Sequence, residues 1–540
     1  MNNLVIIAAI IYTICGVYML LNFKRDIHAF QLNSYRVERY WRWLKGNMFD
    51  AWRLTDLALL FLVASTLLNP LLSTSVVALT AIVKIILTLR AKYKKPLVFT
   101  KRVWRLYTCI GVLALAAWLP LCLQSPGIAD GPRLMDADMH PLRMAVMTLA
   151  CITTLSWIFL ILGAWIMTPV EKHIAGKYRK DAQRILASMP DLKIIGITGS
   201  FGKTSTKHYL QRILSEKYDV LMTPGSFNTP MGVIRTVREH LKPYNEIFIC
   251  EMGAKQKGDI KEICDLVHPS MGIITAVGPM HLETFKSIDN VQSTKFELAD
   301  ALPSDGLVVV NDDFEYCANR PVGNVEALRY AVVNTGAADY CVENVEYSAS
   351  GTQFTIAGPD EFRLTLQTRL IGECNISNLM AAAIIALRLG VEPERIKYAV
   401  SQIEQVEHRL NVKRTPGGVT IIDDAFNSNP EGSRMAVDAL SRFKGGRRII
   451  VTPGMIELGD KQYELNKQLG AHIAHGADVA VIVGQYNRQA LLDGIEAENT
   501  LSKDYILPVD SFNEAQKFLS GFLRAGDTVL YENDLPDTFR

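Results

Sequence analysis

Residues 196–206 read GITGSFGKTST. Gly199 and Gly202 bracket a short loop that ends in Lys203 and Thr204, with further hydroxyls at Ser200 and Ser205. This is the makeup of a phosphate cradle. Glycines let backbone N–H groups approach an anion, a lysine reaches the terminal phosphates, and a threonine hydroxyl ligates magnesium. The spacing departs from the common pattern G-x-x-x-x-G-K-[ST], because Ile197 stands where the first glycine belongs. The loop nonetheless lies between an apolar strand, KIIGIT (193–198), and a helix that opens near Lys203. Helix N-termini favour anions through free N–H groups and the dipole. A purely structural glycine turn has no need of Lys-Thr at that point.

Three further groups fall near strand ends. Glu251 closes the apolar run EIFICEM (246–252), His281 follows MGIITAV (271–277), and Lys295 lies on the helical stretch QSTKFELADAL (292–302). Read singly, each serves equally as a surface carboxylate, a loop histidine and a solvated lysine. Open α/β sheets bind ligands at the carboxyl ends of their strands. Placed there together with Thr204, these groups would build a magnesium site of oxygen and nitrogen ligands beside the phosphates.

The elements that must hold these groups read as α/β. From 192 onward, short β-branched runs alternate with helical patterns. Besides those named, strands are expected at 306–311, 418–424, 447–453, 479–484 and 527–532. Helices are expected at 203–216, 259–266, 290–302, 375–389, 393–405, 431–443 and 462–474. The pattern resets near TPGGVT (415–420), which divides a central ATP-binding domain (171–411) from a Rossmann-like C-terminal domain (412–540). A net charge of +2 argues against a general nucleic-acid binder. The nine cysteines include no C-x-x-C pair, so neither a disulfide framework nor a zinc site is expected.

Residues 1–170 differ in kind. Five apolar runs, 3–23, 54–72, 75–89, 107–123 and 145–167, read as an α-helical membrane domain, since about 20 apolar residues span a bilayer. Stretches 24–53 and 90–105 are rich in Lys and Arg, whereas 124–143 carries Asp130, Asp136 and Asp138. Basic loops face the cytoplasm. Five spans with the N-terminus outside therefore put the α/β domains in the cytoplasm, on a multi-pass protein of the cell membrane. Apart from Lys84, the spans carry little charge. The stretch YRVERYWRWLKGNMFDAWR (35–53) suits the lipid headgroup zone, or alternatively a short surface helix.

Beyond the phosphate loop, residues from about 190 to 460 resemble the Mur ligase family, ATP-dependent amide ligases of peptidoglycan precursor synthesis. The family's loop is T-G-[TS]-x-G-K-[TS], and TGSFGKT (198–204) fits it. GSFNTPMGV (225–233), EMGA (251–254), HLE (281–283), KFEL (295–298), NISN (375–378), HRL (408–410), DDAFNSNP (423–430) and GMIELG (454–459) follow in the family's order. The resemblance implies an acyl-phosphate mechanism with ATP and Mg2+ as cofactors. It implies that Lys203 and the loop amides hold phosphates, and that Thr204, Glu251, His281 and a carbamylated Lys295 hold magnesium, with Glu297 beside it. It implies that Asn378 meets adenine, Arg409 a phosphate, Asp424 and Asn427 the ribose and adenine, and Asn228 the acceptor carboxylate. The partners implied are an amino-acid or peptide amine and a carboxylate acceptor.

The chain departs from the family in places. Cys374 stands in GECN (372–375) where histidine is usual, and EHR (407–409) replaces PGR. The late turn YENDLPDTF (531–539) carries Glu532, Asp534 and Asp537, which suits an amine or cationic acceptor. The family's UDP-gripping domain is replaced by the apolar region. That swap favours a membrane-held acceptor, such as a lipid-linked muropeptide or a growing polymer. The alternatives are a polymer ligase of the poly-γ-glutamate type and a non-catalytic scaffold.

Overall fold

The structure, a computed structural model, describes residues 2–64, 70–91, 93, 95–123, 140–334, 336, 338–348, 351–406, 409–425 and 429–534. One compact unit runs to Gly176 and a second begins at Lys177.

The first unit is helical: α1 (Asn2–Leu32), α2 (Val37–Asn47), α3 (Ala51–Ala64), α4 (Pro70–Arg90), α5 (Lys101–Leu123), α6 (His140–Thr154) and α7 (Ser156–Ala187), the last continuing into the second unit. Among the described residues, three helices are long and apolar enough to cross a membrane: Leu72–Arg90, Lys101–Leu119 and Ser156–Ala187. The expected run 3–23 lies within α1. Run 54–72 is divided between α3 and α4, with 65–69 outside the described residues. Run 145–167 is divided at Leu155 between α6 and α7. Most of the acidic stretch, 124–139, also lies outside the described residues.

Within the expected apolar runs, Asp56 is buried as well as Lys84, and the helices also enclose Asp26 and Arg53 from the basic stretch 24–53. Arg53 pairs with Asp26 at 2.8 Å, and Ser156 Oγ donates to the same carboxylate at 2.5 Å. Lys84 pairs with Asp56 at 2.5 Å, and the Tyr18 hydroxyl donates to Asp56 at 2.6 Å. Buried charges persist only when paired and hydrogen-bonded in this way.

In the second unit, β1 (Lys193–Thr198), β2 (Val220–Met222), β3 (Ile247–Glu251), β4 (Met271–Ile274), β5 (Leu307–Asn311), β6 (Glu326–Ala331), β7 (Tyr340–Ser348), β8 (Gly351–Ala357) and β9 (Arg363–Thr368) form one sheet. Its order is β2-β3-β1-β4-β5-β6-β7-β8-β9, parallel as far as β7 and antiparallel thereafter. Helices α8 (Lys203–Leu214), α9 (Pro230–Glu239), α10 (Asp259–Val267), α11 (Leu282–Phe285), α12 (Ile288–Asp300), α13 (Glu315–Ala318), α14 (Glu373–Arg388) and α15 (Pro393–Ser401) accompany it. Successive side chains on a strand point to opposite faces. Ile195, Ile197, Ile249 and Val309 therefore join one core, with α8 and α14. Ile194, Phe248, Val308 and Val310 join the other, with α9, α10 and α12. Cover on both faces explains why these strands read as continuous apolar runs.

The terminal domain holds β10 (Asn411–Arg414), β11 (Thr420–Asp424), β12 (Arg448–Thr452), β13 (Val479–Val483), β14 (Ile506–Val509) and β15 (Thr528–Glu532). With them are α16 (Pro430–Ser441), α17 (Gln462–Gly476), α18 (Arg488–Glu498) and α19 (Phe512–Phe522). The sheet order is β10-β11-β15-β12-β13-β14, parallel except for the β10–β11 hairpin. The stretch 415–420 is the turn and first residue of that hairpin, so the second sheet already begins at Asn411.

Candidate nucleotide and metal site

β1 lies between β3 and β4, with Ile197 opposite Glu251 and Thr198 opposite Ile274. The phosphate loop, Glu251 and the loop carrying His281 therefore leave the sheet side by side. Two glycines in the loop are required by geometry. Gly199 (φ 152°) would place a Cβ 2.1 Å from Thr275 Oγ1, and Gly202 (φ 82°) would place one 2.6 Å from Asn378 Oδ1. Ser200 is buried. Its N–H donates to the Ala276 carbonyl at 2.8 Å, its hydroxyl donates to Gly278 O at 3.1 Å, and Gly278 N donates back at 3.0 Å. Its polar groups brace the loop rather than open onto the cavity. Phe201 completes the brace, packing edge to face on Phe314 at 4.9 Å between centroids, while its carbonyl accepts from Thr275 Oγ1.

Lys203 Nζ donates to the Gly199 and Ser200 carbonyls at 2.6 and 3.2 Å. Burial, with a contribution from Arg409 and against the pull of Glu251, brings its pKa down to about 8. Thr204 Oγ1 lies 3.2 Å from both oxygens of Glu251, and Asn228 Nδ2 donates to the same carboxylate at 3.1 Å. Three predicted site residues thus converge within hydrogen-bond reach. A fourth group was missed. Lys207, fully buried, pairs with Glu251 at 3.0 Å and donates to the Gly225 carbonyl at 2.6 Å. It lies four residues after Lys203 on α8, a spacing that puts both on one helix face. Burial works to raise the Glu251 carboxyl, but Lys207 and Lys203 outweigh it and hold it below the usual carboxylate range.

His281, in a left-handed conformation (φ 52°), pairs through Nδ1 with Glu457 of the terminal domain, a residue to which the sequence reading gave no role. Burial lowers the imidazole pKa, against the pull of Glu457. Lys295 is 3% exposed; its Nζ lies 6.0 Å from the Phe285 ring centroid, and its side chain makes no hydrogen bond or ion pair among the described residues. Burial first, then the Lys203 charge, push its ammonium well below the usual lysine range. Glu297 instead accepts from the N–H groups of Gly258 and Lys261 at 2.7 and 2.9 Å, at the start of α10.

A cavity of about 250 Å³ lies between the central and terminal domains, lined among others by Gly202, Ser205, Asn378, Arg409, Asp424 and Phe314. Five of the expected nucleotide contacts thus share one wall system. Asn378 Oδ1 accepts from Thr206 Oγ1 at 3.0 Å, and Asp424 Oδ1 accepts from Leu410 N at 3.2 Å. Burial raises the Asp424 carboxyl to about 7, with Glu532 adding and Arg409 opposing. Burial holds the Arg409 guanidinium below its usual value. Asn427 lies outside the described residues. So does Asp537 of the acidic turn, whereas Glu532 is buried, accepting from Ser433 Oγ and Thr452 Oγ1 at 2.7 and 2.6 Å. Glu532, counted from the sequence in the acidic turn, is therefore an internal group.

No cluster of three or more His, Cys, Asp or Glu stands together among the described residues. Magnesium needs none: it keeps its waters and takes one or two carboxylates plus substrate phosphates. The donor set fits that pattern. A hydroxyl and a buried carboxylate already face each other. The Lys295 amine, if converted to a carbamate, would replace a buried cation over the Phe285 ring with an oxygen ligand.

The profile of the Mur ligase middle domain matches residues 197–386, and that of the Mur ligase glutamate ligase domain matches 408–531. A UDP-N-acetylmuramoyl-tripeptide–D-alanyl-D-alanine ligase of Bacillus subtilis (strain 168) is 31% identical over 285 residues, covering 52% of this chain and 60% of the relative. The enzyme of the same name from Mycobacterium bovis is 31% identical over 363 residues, covering 63% and 70%. The crystal structure of a MurF ligase from Thermotoga maritima in complex with ADP superposes with a TM-score of 0.57 at 27% identity, covering 67% of this chain and 80% of that one. The chain thus spans about three fifths of the length of the Bacillus relative. With both domains matched in order around a shared cavity, this chain belongs to the Mur ligase family.

Proposed function

We propose that this chain is a membrane-anchored, ADP-forming amide ligase that extends a peptidoglycan-related, lipid-linked precursor. The acceptor carboxylate attacks the γ-phosphate of ATP, forming a C–O–P linkage and releasing ADP. An amino-acid or peptide amine then attacks the acyl carbon, phosphate leaves, and the amine loses a proton. Lys203 and the loop N–H groups hold the transferring phosphate, and Asn228 orients the acceptor carboxylate beside Glu251. Thr204, Glu251, His281 and the Lys295 carbamate would hold magnesium, which neutralises charge on the phosphates. The neutral Lys295 amine favoured by burial is the form that adds to carbon dioxide, forming an N–C bond with loss of a proton. Asn378, Asp424 and Asn427 would take the adenosine, and Arg409 a phosphate, with water excluded between the two domains.

The observation that carries the membrane part is the union in one chain of this site with three helices long and apolar enough to span a bilayer. The basic stretches 24–53 and 90–105 favour a multi-pass topology with the site in the cytoplasm. Mass spectrometry of lipid-linked precursors from cells with and without the protein tests the proposal. Precursors that lose one amide-linked residue on deletion are expected. An unchanged lipid-linked pool, with a changed UDP-linked pool, would refute the membrane-held acceptor.

A further inference from the structure

Glu457 lies in GMIELG (454–459), a motif whose residues have no part in the proposed chemistry. It belongs to the terminal domain, yet its carboxylate reaches two loops of the central domain. One oxygen meets His281 Nδ1, and the other pairs with Lys255 Nζ at 3.2 Å. The loop bearing Glu457 is braced from behind. Met455 and Leu458 are each 1% exposed, Met455 N donates to Asn466 Oδ1 at 2.8 Å, and Leu458 N donates to Gln462 Oε1 at 3.2 Å. Glu457 itself adopts φ 62°, a left-handed conformation costly for a residue of this type. Such strain persists only where surrounding contacts over-determine it, and it concentrates at functional sites. The backbones also press together here, since a Cβ on Gly459 would lie 3.2 Å from Glu283 N.

An ionised carboxylate accepts hydrogen bonds and donates none. A neutral His281 therefore carries its proton on Nδ1, which leaves the Nε2 lone pair free. Metal-ligating histidines are oriented in this way by a carboxylate on the opposite ring nitrogen. We infer that Glu457 is a positioning residue: delivered from the terminal domain and steadied by Lys255, it fixes the tautomer and direction of His281 for the magnesium site. Metal occupancy and engagement of the terminal domain are then coupled, and each favours the other by the same factor. The inference rests on the reading of His281 as a magnesium ligand.

The test titrates the full-length protein in detergent with Mn2+, in the presence of a non-hydrolysable ATP analogue, and counts free Mn2+ by electron paramagnetic resonance. Glu457→Ala is expected to weaken Mn2+ binding about 10–100-fold, the usual loss for an outer-shell carboxylate. Glu457→Gln should fall between it and wild type, because its amide oxygen still accepts from Nδ1 while the ion pair with Lys255 is lost. His281→Ala combined with Glu457→Ala should bind no worse than His281→Ala alone. Thermal unfolding in EDTA checks that each variant is folded, and if Glu457→Ala is not, Glu457→Gln decides. Binding by the Glu457 variants within twofold of wild type, with His281→Ala impaired, overturns the inference and leaves the proposed function standing. A Glu457 loss that persists undiminished on top of His281→Ala also overturns it. Unimpaired binding in His281→Ala instead refutes the assignment of His281, on which the inference rests.

Discussion

Lys207→Met is the substitution whose cost the structure defines most fully. It keeps the aliphatic stem and removes one charge. Both partners of the Lys207–Glu251 pair are 0–1% exposed, so Glu251 would be left as a buried anion without its ion-pair partner, held by the neutral Thr204 and Asn228 and by the field of Lys203. The Gly225 carbonyl would also lose its donor. Removing one partner of a buried pair costs about 3–5 kcal/mol. For a domain of about 200 residues that corresponds to a fall of roughly 6–20 °C in the midpoint of its thermal transition. The pH dependence has a definite sign. In the native chain Glu251 has a depressed pKa, so its contribution is present above the unfolded carboxylate pKa and is lost as pH falls through the folded value. In the variant the order reverses, burial raises the carboxyl, and stability should improve as pH falls from 8 to 5. Lys207→Met/Glu251→Gln, which removes both charges, should recover most of the loss. Intrinsic fluorescence of the detergent-solubilised protein across pH 5–8 reads wild type and both variants. A single-variant midpoint within about 2 °C of wild type at pH 8 would contradict the burial argument.

Three further outcomes follow from the same structure. Gly202→Ala places a Cβ 2.6 Å from Asn378 Oδ1 in a left-handed conformation, and should cost about 1–3 kcal/mol together with most ADP binding, read by calorimetry. Asp424, whose carboxyl is raised to about 7, binds a proton in the folded chain that the unfolded chain releases near pH 4. Stability should therefore fall as pH rises from 4 to 7, and Asp424→Asn should flatten that slope in pH-dependent thermal unfolding. In the helical unit, Lys84→Met leaves Asp56 unpaired and should lower stability by about 3–5 kcal/mol, whereas Asp56→Asn/Lys84→Met should cost clearly less, measured by thermal unfolding in detergent.

The loop expected to cradle phosphate was legible as a strand-to-helix turn because its makeup is local: glycines, lysine and threonine lie within six residues between β1 and α8. Glu251 and His281 were legible from their places near strand ends, which the parallel sheet brings beside that loop. Lys207 was not, because a lysine on a helix reads as a solvated one until its partner, 44 positions further on, is known. Glu457 stands 176 positions from His281 in another domain, and no local pattern announces that contact. The internal place of Glu532 was not legible for a related reason: it alternates inward on β15, where Ser433 and Thr452 receive it. The strand Arg363–Thr368 carries a readable alternation, RLTLQT with buried residues at every second position, that was overlooked. In the first unit, hydropathy located the apolar runs but not the break at Leu155, where a run of uniform composition changes helix.

The most direct measurement of the central claim is ADP release by the full-length, detergent-solubilised protein, offered lipid-linked or UDP-linked muramoyl peptides together with a panel of amino-acid and dipeptide amines. The account predicts turnover that depends on the lipid-linked acceptor and on one class of amine, and that disappears in Lys203→Ala. Equal or faster turnover with the UDP-linked acceptor would contradict it.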